Sequence, residues 1–104
     1  MINNIFKPYV YVIKHIPTGK YYIGVKIAKN SNPDMFWVEG GYFTSSKIVK
    51  KLRDIDGDDS FIIDRIKTFS TSNEAYSYET RLLKKVKVLT NEKFLNNSDN
   101  TNVS

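Results

Sequence analysis

Residues Tyr9 to Lys26 constrain what this chain can fold into more than any other stretch. Two runs rich in β-branched and aromatic residues, Tyr9 to Ile16 and Tyr21 to Lys26, flank the quartet Pro17-Thr18-Gly19-Lys20. β-Formers on either side of turn-formers predict an antiparallel hairpin. Side chains alternate between the two faces of a strand, so the period assigns every residue a side. In the first strand Tyr9, Tyr11, Ile13 and His15 share one face, while Val10, Val12 and Ile16 share the other with Lys14. In the second, Tyr21, Ile23, Val25 and Ile27 form a continuous apolar face, which is expected to meet the core. Opposite them stand Tyr22, Gly24 and Lys26: a phenol, a residue with no side chain and a cation. A core has no use for such a set, whereas a phosphate site does.

The length of 104 residues fits one domain with a single modest core. With 40% hydrophobic and 13% aromatic residues the chain is expected to fold over 1–96, leaving a disordered polar tail at 97–104. Sixteen Lys and Arg against 11 Asp and Glu give a net charge of +5, which favours an anionic partner, nucleic acid above all. The absence of cysteine excludes disulfides and Cys-based zinc sites. No apolar run has membrane-spanning length and the N-terminus has no signal-peptide pattern, so the expectation is a soluble, cytoplasmic protein with no membrane partner.

After the hairpin, residues 28–41 mix Asn, Ser, Pro and paired Gly with Met35, Phe36, Trp37 and Val38. Two readings stand: a loop folded back on the core as a lid, or a substrate-contacting flap with Trp37 stacking on a base. Thr44-Ser45-Ser46 is good cap chemistry for a helix starting at Lys47. Ile48, Leu52 and Ile55 would form its apolar stripe, with Lys47, Lys50, Lys51 and Arg53 around them. Those cations read as a solvated face, or, with the hydroxyls and backbone donors of the helix start, as an oxyanion grip. The acidic run Asp54 to Asp59 lacks the spacing of a calcium loop, since Gly57 falls fourth and Arg65 twelfth; it reads as an acidic turn.

Ser60 to Phe69 suggests a third strand in which neither face is cleanly apolar. Thr71-Ser72-Asn73-Glu74 is a capping box opening a second helix that runs to Val86. Its inner stripe holds Ala75, Leu82 and Val86, and the fourth member is Glu79. A carboxylate in that stripe is costly unless it is ion-paired, hydrogen-bonded or bound to a metal, and the residues alone leave these open. Phe94 and Leu95 are the expected anchors of a returning C-terminal segment.

These motifs together resemble the GIY-YIG nuclease family. Tyr22-Ile23-Gly24 matches its second motif, and Tyr9-Val10-Tyr11 matches the first except for the leading glycine. The likeness continues through Ser45-Ser46-Lys47, through the helix bearing Tyr78-Glu79-Thr80-Arg81, and to Phe94-Leu95-Asn96, covering about Pro8 to Asn96. The resemblance implies an α+β fold, a small three-stranded antiparallel sheet flanked by helices, and hydrolysis of DNA phosphodiesters with one divalent metal. On that reading Glu79 ligates Mg²⁺ or Mn²⁺, Tyr11 helps activate water, Tyr22 positions the phosphate or that water, and Gly24 leaves room for the substrate backbone. Ser45, Ser46 and Lys50 would add substrate contacts.

The family also uses a basic residue, usually arginine, to hold the phosphate. Here no arginine follows Gly24 until Arg53, so Lys26 or Lys47 must serve, and the strand face favours Lys26. Lysine lacks arginine's bidentate fork, which lowers the expected activity. A second reading follows from that gap: a catalytically weakened domain that binds nucleic acid or protein. The chain has no room for a separate DNA-binding domain, so specificity would come from a homo-oligomer, a partner protein or a structural feature of the DNA. A phage or mobile-element setting fits the resemblance.

Overall fold

Pairing of the two hairpin strands runs from Tyr9 opposite Lys26 to His15 opposite Lys20, which puts Tyr11 beside Gly24 and Ile13 beside Tyr22. This register belongs to a computed structural model that describes residues 6–100. Its elements are β1 (Tyr9–His15), β2 (Lys20–Lys26), α1 (Lys47–Asp56), β3 (Phe61–Thr68) and α2 (Ser72–Lys85), with short 3₁₀ turns at Pro33–Met35 and Asp58–Ser60. Both strand pairs are antiparallel and the sheet order is β2-β1-β3. The fold is therefore α+β, a three-stranded antiparallel sheet with two helices, as the sequence led us to expect. Among the described residues no helix is long and apolar enough to cross a membrane.

The mixed faces of β3 have a specific cause. Val12 pairs with Arg65 and Ile13 with Ile63, so Asp64 is the extra residue of a bulge. An inserted residue reverses the alternation beyond it. Phe61 and Ile66, which simple alternation would separate, consequently pack in one cluster with Tyr9, Tyr11 and Ile13. Ile62 and Ile63 are left exposed along the strand.

Both faces of the sheet are covered, which corrects the expectation of one core side and one site side. Val10, Ile23, Ala75, Leu83 and Val88 form the core beneath α2, where Ile27 is exposed rather than buried. The opposite face carries a second core of Tyr9, Tyr11, Ile13, Phe36, Val49 and Phe61. Phe36 comes from the loop after β2, so that loop is a lid folded on the core. Trp37 is locked within it, its indole N–H donating to the Asp58 carbonyl and its ring tilted against Phe61. The α1 stripe also differs from expectation. Val49 is its buried residue, while Ile48 and Ile55 are exposed. Phe36 and Tyr42 occupy much of this face, and α1 touches the core through Val49 and Leu52.

His15 is a satisfied core residue, with Nε2 2.9 Å from Asp56 and Nδ1 2.8 Å from Thr18. The Asp56 contact ties the end of α1 to β1: the run expected to be an acidic turn begins inside the helix, whose last residues are Asp54 to Asp56, and turns only from Gly57 through the 3₁₀ segment Asp58–Ser60. Tyr9 is less content: its hydroxyl is buried with no hydrogen-bond partner among the described residues. A buried unpaired hydroxyl costs about 1–3 kcal/mol. Tyr9→Phe is therefore expected to stabilise the protein by about 1 kcal/mol, raising the melting temperature by roughly 4–8 °C. A lower melting temperature in thermal denaturation would contradict this.

The C-terminal segment closes the outer edge of β2. Tyr21 donates to the Lys93 carbonyl at 2.8 Å and accepts from the Leu95 N–H at 2.7 Å. Asn96 then mimics a strand partner with its side chain, accepting from the Ile23 N–H at 2.9 Å and donating to the Ile23 carbonyl at 2.7 Å. The tail expected to fray from Asn97 is seated against α2 as far as Asn100, which bonds to Glu79 and Thr80. Residues 101–104, the rest of that expected tail, lie outside the described residues.

Candidate functional site

Three elements meet where β2, the start of α1 and the middle of α2 converge. Ser46 caps the start of α1, its hydroxyl accepting from the Val49 N–H at 3.3 Å. Thr44 fixes the approach to it: its Oγ1 accepts from the Ser46 N–H at 3.0 Å and lies 3.4 Å from the Tyr11 hydroxyl. α2 starts with the expected capping box between Thr71 and Glu74, which sets the helical phase that brings Glu79 inward. Between them lies a cavity of about 300 Å³, whose walls include Tyr22, Ser45, Ser46, Lys47, Glu79, Leu95, Asn96 and Asn100.

Five residues singled out in the sequence therefore share this cavity: Tyr22, Ser45, Ser46, Lys47 and Glu79. Four do not. Tyr11 is buried in the aromatic core, its ring 4.3 Å from that of Phe36 and 6.2 Å from that of Tyr22. Gly24 is covered by Tyr11: a Cβ there would overlap the phenol's Cζ and Oη. The missing side chain thus makes room for a neighbouring ring and not for substrate. Lys26 keeps to the expected face but lays its ammonium 4.3 Å over the Tyr42 ring, away from the cavity wall. Lys50 stands exposed on α1, one turn beyond Lys47. Of the two candidate lysines, Lys47 lines the cavity and Lys26 does not.

Electrostatics separate the roles further. Burial raises the Glu79 carboxyl above its ordinary value, and the hydrogen bond from Asn100 opposes the rise. Burial likewise raises the Tyr22 phenol, opposed by a hydrogen bond from Ser46 and reinforced by the charges of Glu79 and Tyr42. Tyr11 is raised as well, by burial first and then by Tyr42 and Tyr22. Both phenols are therefore protonated donors at neutral pH. Tyr11 lies outside the cavity, and its hydroxyl meets Thr44, which in turn accepts from the Ser46 N–H at the start of α1.

Among the described residues no three of His, Cys, Asp and Glu gather as a metal-binding group. A site for Mg²⁺ does not require one, because that ion keeps several waters and often takes one or two carboxylates. Glu79 fits this description: a carboxylate 7% exposed, on a polar cavity wall, bonded to a neutral amide. The tail residues of the cavity were not foreseen. Asn97, Ser98 and Asn100 read as polar tail, and the one available signal was their continuity with Phe94-Leu95-Asn96. No family model, curated protein or solved structure matches this chain.

Proposed function

We propose that the protein is a divalent-metal-dependent endonuclease that hydrolyses phosphodiester bonds in DNA. The observation that carries this reading is the position of Glu79, a desolvated carboxylate sharing one cavity with Tyr22, Lys47 and the first turn of α1. A structural acid has no need of that company. Mg²⁺ or Mn²⁺ held by Glu79 would polarise the scissile phosphate and stabilise the leaving oxygen. The chain's own groups bind and orient the substrate. The helix start offers backbone donors and a positive dipole end to a phosphate oxygen, with the Ser45 and Ser46 hydroxyls beside them. Lys47 adds a full charge at the same place. The protonated Tyr22 hydroxyl donates to a phosphate oxygen or to the incoming water, and positions it.

The assignment of the phosphate grip has its own test. Lys47→Ala is expected to lower the rate of Mg²⁺-dependent plasmid nicking by about 10²–10³-fold, the cost of removing a group that stabilises transition-state charge. Lys26→Ala is expected to stay within a few-fold of wild type. The reverse pattern would return the role to Lys26. A second reading, a domain that binds nucleic acid without cutting it, is favoured by the absence of arginine from the cavity wall among the described residues. DNA binding without nicking by the wild-type chain would select it.

A further inference from the structure

We infer that Asn100 is a positioning residue for the metal ligand, holding the Glu79 carboxylate in place for a divalent cation. This rests on the metal-binding role proposed for Glu79 and extends the site to the C-terminal segment.

The local chemistry explains why asparagine stands here. Asn100 adopts a left-handed backbone with φ of 67°, a conformation asparagine tolerates better than most residues. The Ser98 hydroxyl accepts its backbone N–H at 3.2 Å, which turns the chain back toward α2. The side-chain amide then has two hydrogens to give. It donates to Glu79 Oε1 at 2.8 Å and to Thr80 Oγ1 at 2.9 Å. Two acceptors on consecutive residues of one helix fix the amide, and the amide fixes the carboxylate.

The choice of a neutral donor matters. A lysine or arginine in this position would pair with Glu79 and cancel the charge that a metal ion needs. An amide orients the carboxylate, engages one oxygen and leaves its negative charge intact. Partners of this kind around metal ligands typically contribute about 10–100-fold in metal affinity or activity. Asn100 lines the same cavity as Tyr22 and Lys47, so the carboxylate it orients faces the proposed phosphate position.

The test is calorimetric binding of Mn²⁺ to the full chain, comparing wild type with Asn100→Ala and with Asn73→Ala, a control at an exposed asparagine of α2 away from this cavity. Asn100→Ala is expected to weaken Mn²⁺ binding by about 10–100-fold while leaving the metal-free melting temperature within a few degrees of wild type. Asn73→Ala is expected to bind as wild type does. Plasmid nicking by Asn100→Ala should recover at saturating metal, which a general loss of structure would not allow. Unchanged or tighter Mn²⁺ binding by Asn100→Ala would overturn the inference and leave the role of Glu79 standing. Absence of Mn²⁺ binding by the wild-type chain would remove both.

Discussion

Glu79→Gln is expected to lose at least about two orders of magnitude in Mg²⁺-dependent plasmid nicking, and at neutral pH to melt higher than wild type when no metal is present. The two effects have one origin. Burial holds the Glu79 carboxyl above its ordinary value, so the folded protein resists ionising it. A group raised on folding contributes stability that is complete below its unfolded value and is lost as pH rises through its folded value. Metal-free wild type should therefore lose stability across that window, and Glu79→Gln, which cannot ionise, should not. Added Mg²⁺ should stabilise wild type and leave the glutamine variant unchanged. A glutamine variant that melts lower at neutral pH and shows the wild-type response to Mg²⁺ would mean that Glu79 serves the fold and no metal. Thermal melts at several pH values, with and without Mg²⁺, decide between these outcomes.

Gly24→Ala is expected to have the largest effect on stability. The added methyl would meet the end of the Tyr11 ring, and that ring has little freedom to withdraw. Phe36 packs tilted against it with ring centres 4.3 Å apart, and the Tyr22 and Tyr42 rings lie at 6.2 and 6.3 Å. Overpacking of a closed core costs about 1–3 kcal/mol, and each kcal/mol lowers the melting temperature of a domain this size by roughly 4–8 °C. In a Tyr11→Ala background the same glycine substitution should cost little, because the overlapping atoms are gone. Chemical denaturation of the four members of that cycle measures the coupling. Equal cost in both backgrounds would show that Gly24 is needed for some other reason.

The hairpin, both helix caps and the third strand were legible in the sequence because each depends on neighbouring residues. Pro17 to Lys20 turns the chain locally, and Thr71 caps α2 through a residue three positions away. Glu79 was legible for a related reason: helical period alone places it among Ala75, Leu82 and Val86. What escaped depends on distant packing. The bulge at Asp64 inverts the faces of β3, and only the pairing with β1 reveals it. Tyr11 and Gly24 are matched across a strand pair, so the pattern that suggested an open phosphate site is filled by one ring over one glycine. Lys26 looked well placed by alternation, but its flexible stem carries the charge onto Tyr42. Asn100 has a polar-tail composition, and its two hydrogen bonds to α2 reach across more than an entire helix of sequence.

The most direct test of the proposed activity is incubation of supercoiled plasmid DNA with the full chain and Mg²⁺, with and without a chelator, beside Glu79→Ala. Nicking by wild type that stops on chelation and is lost in Glu79→Ala is the predicted result. Wild type and variant that are equally inert, or equally active, would contradict it.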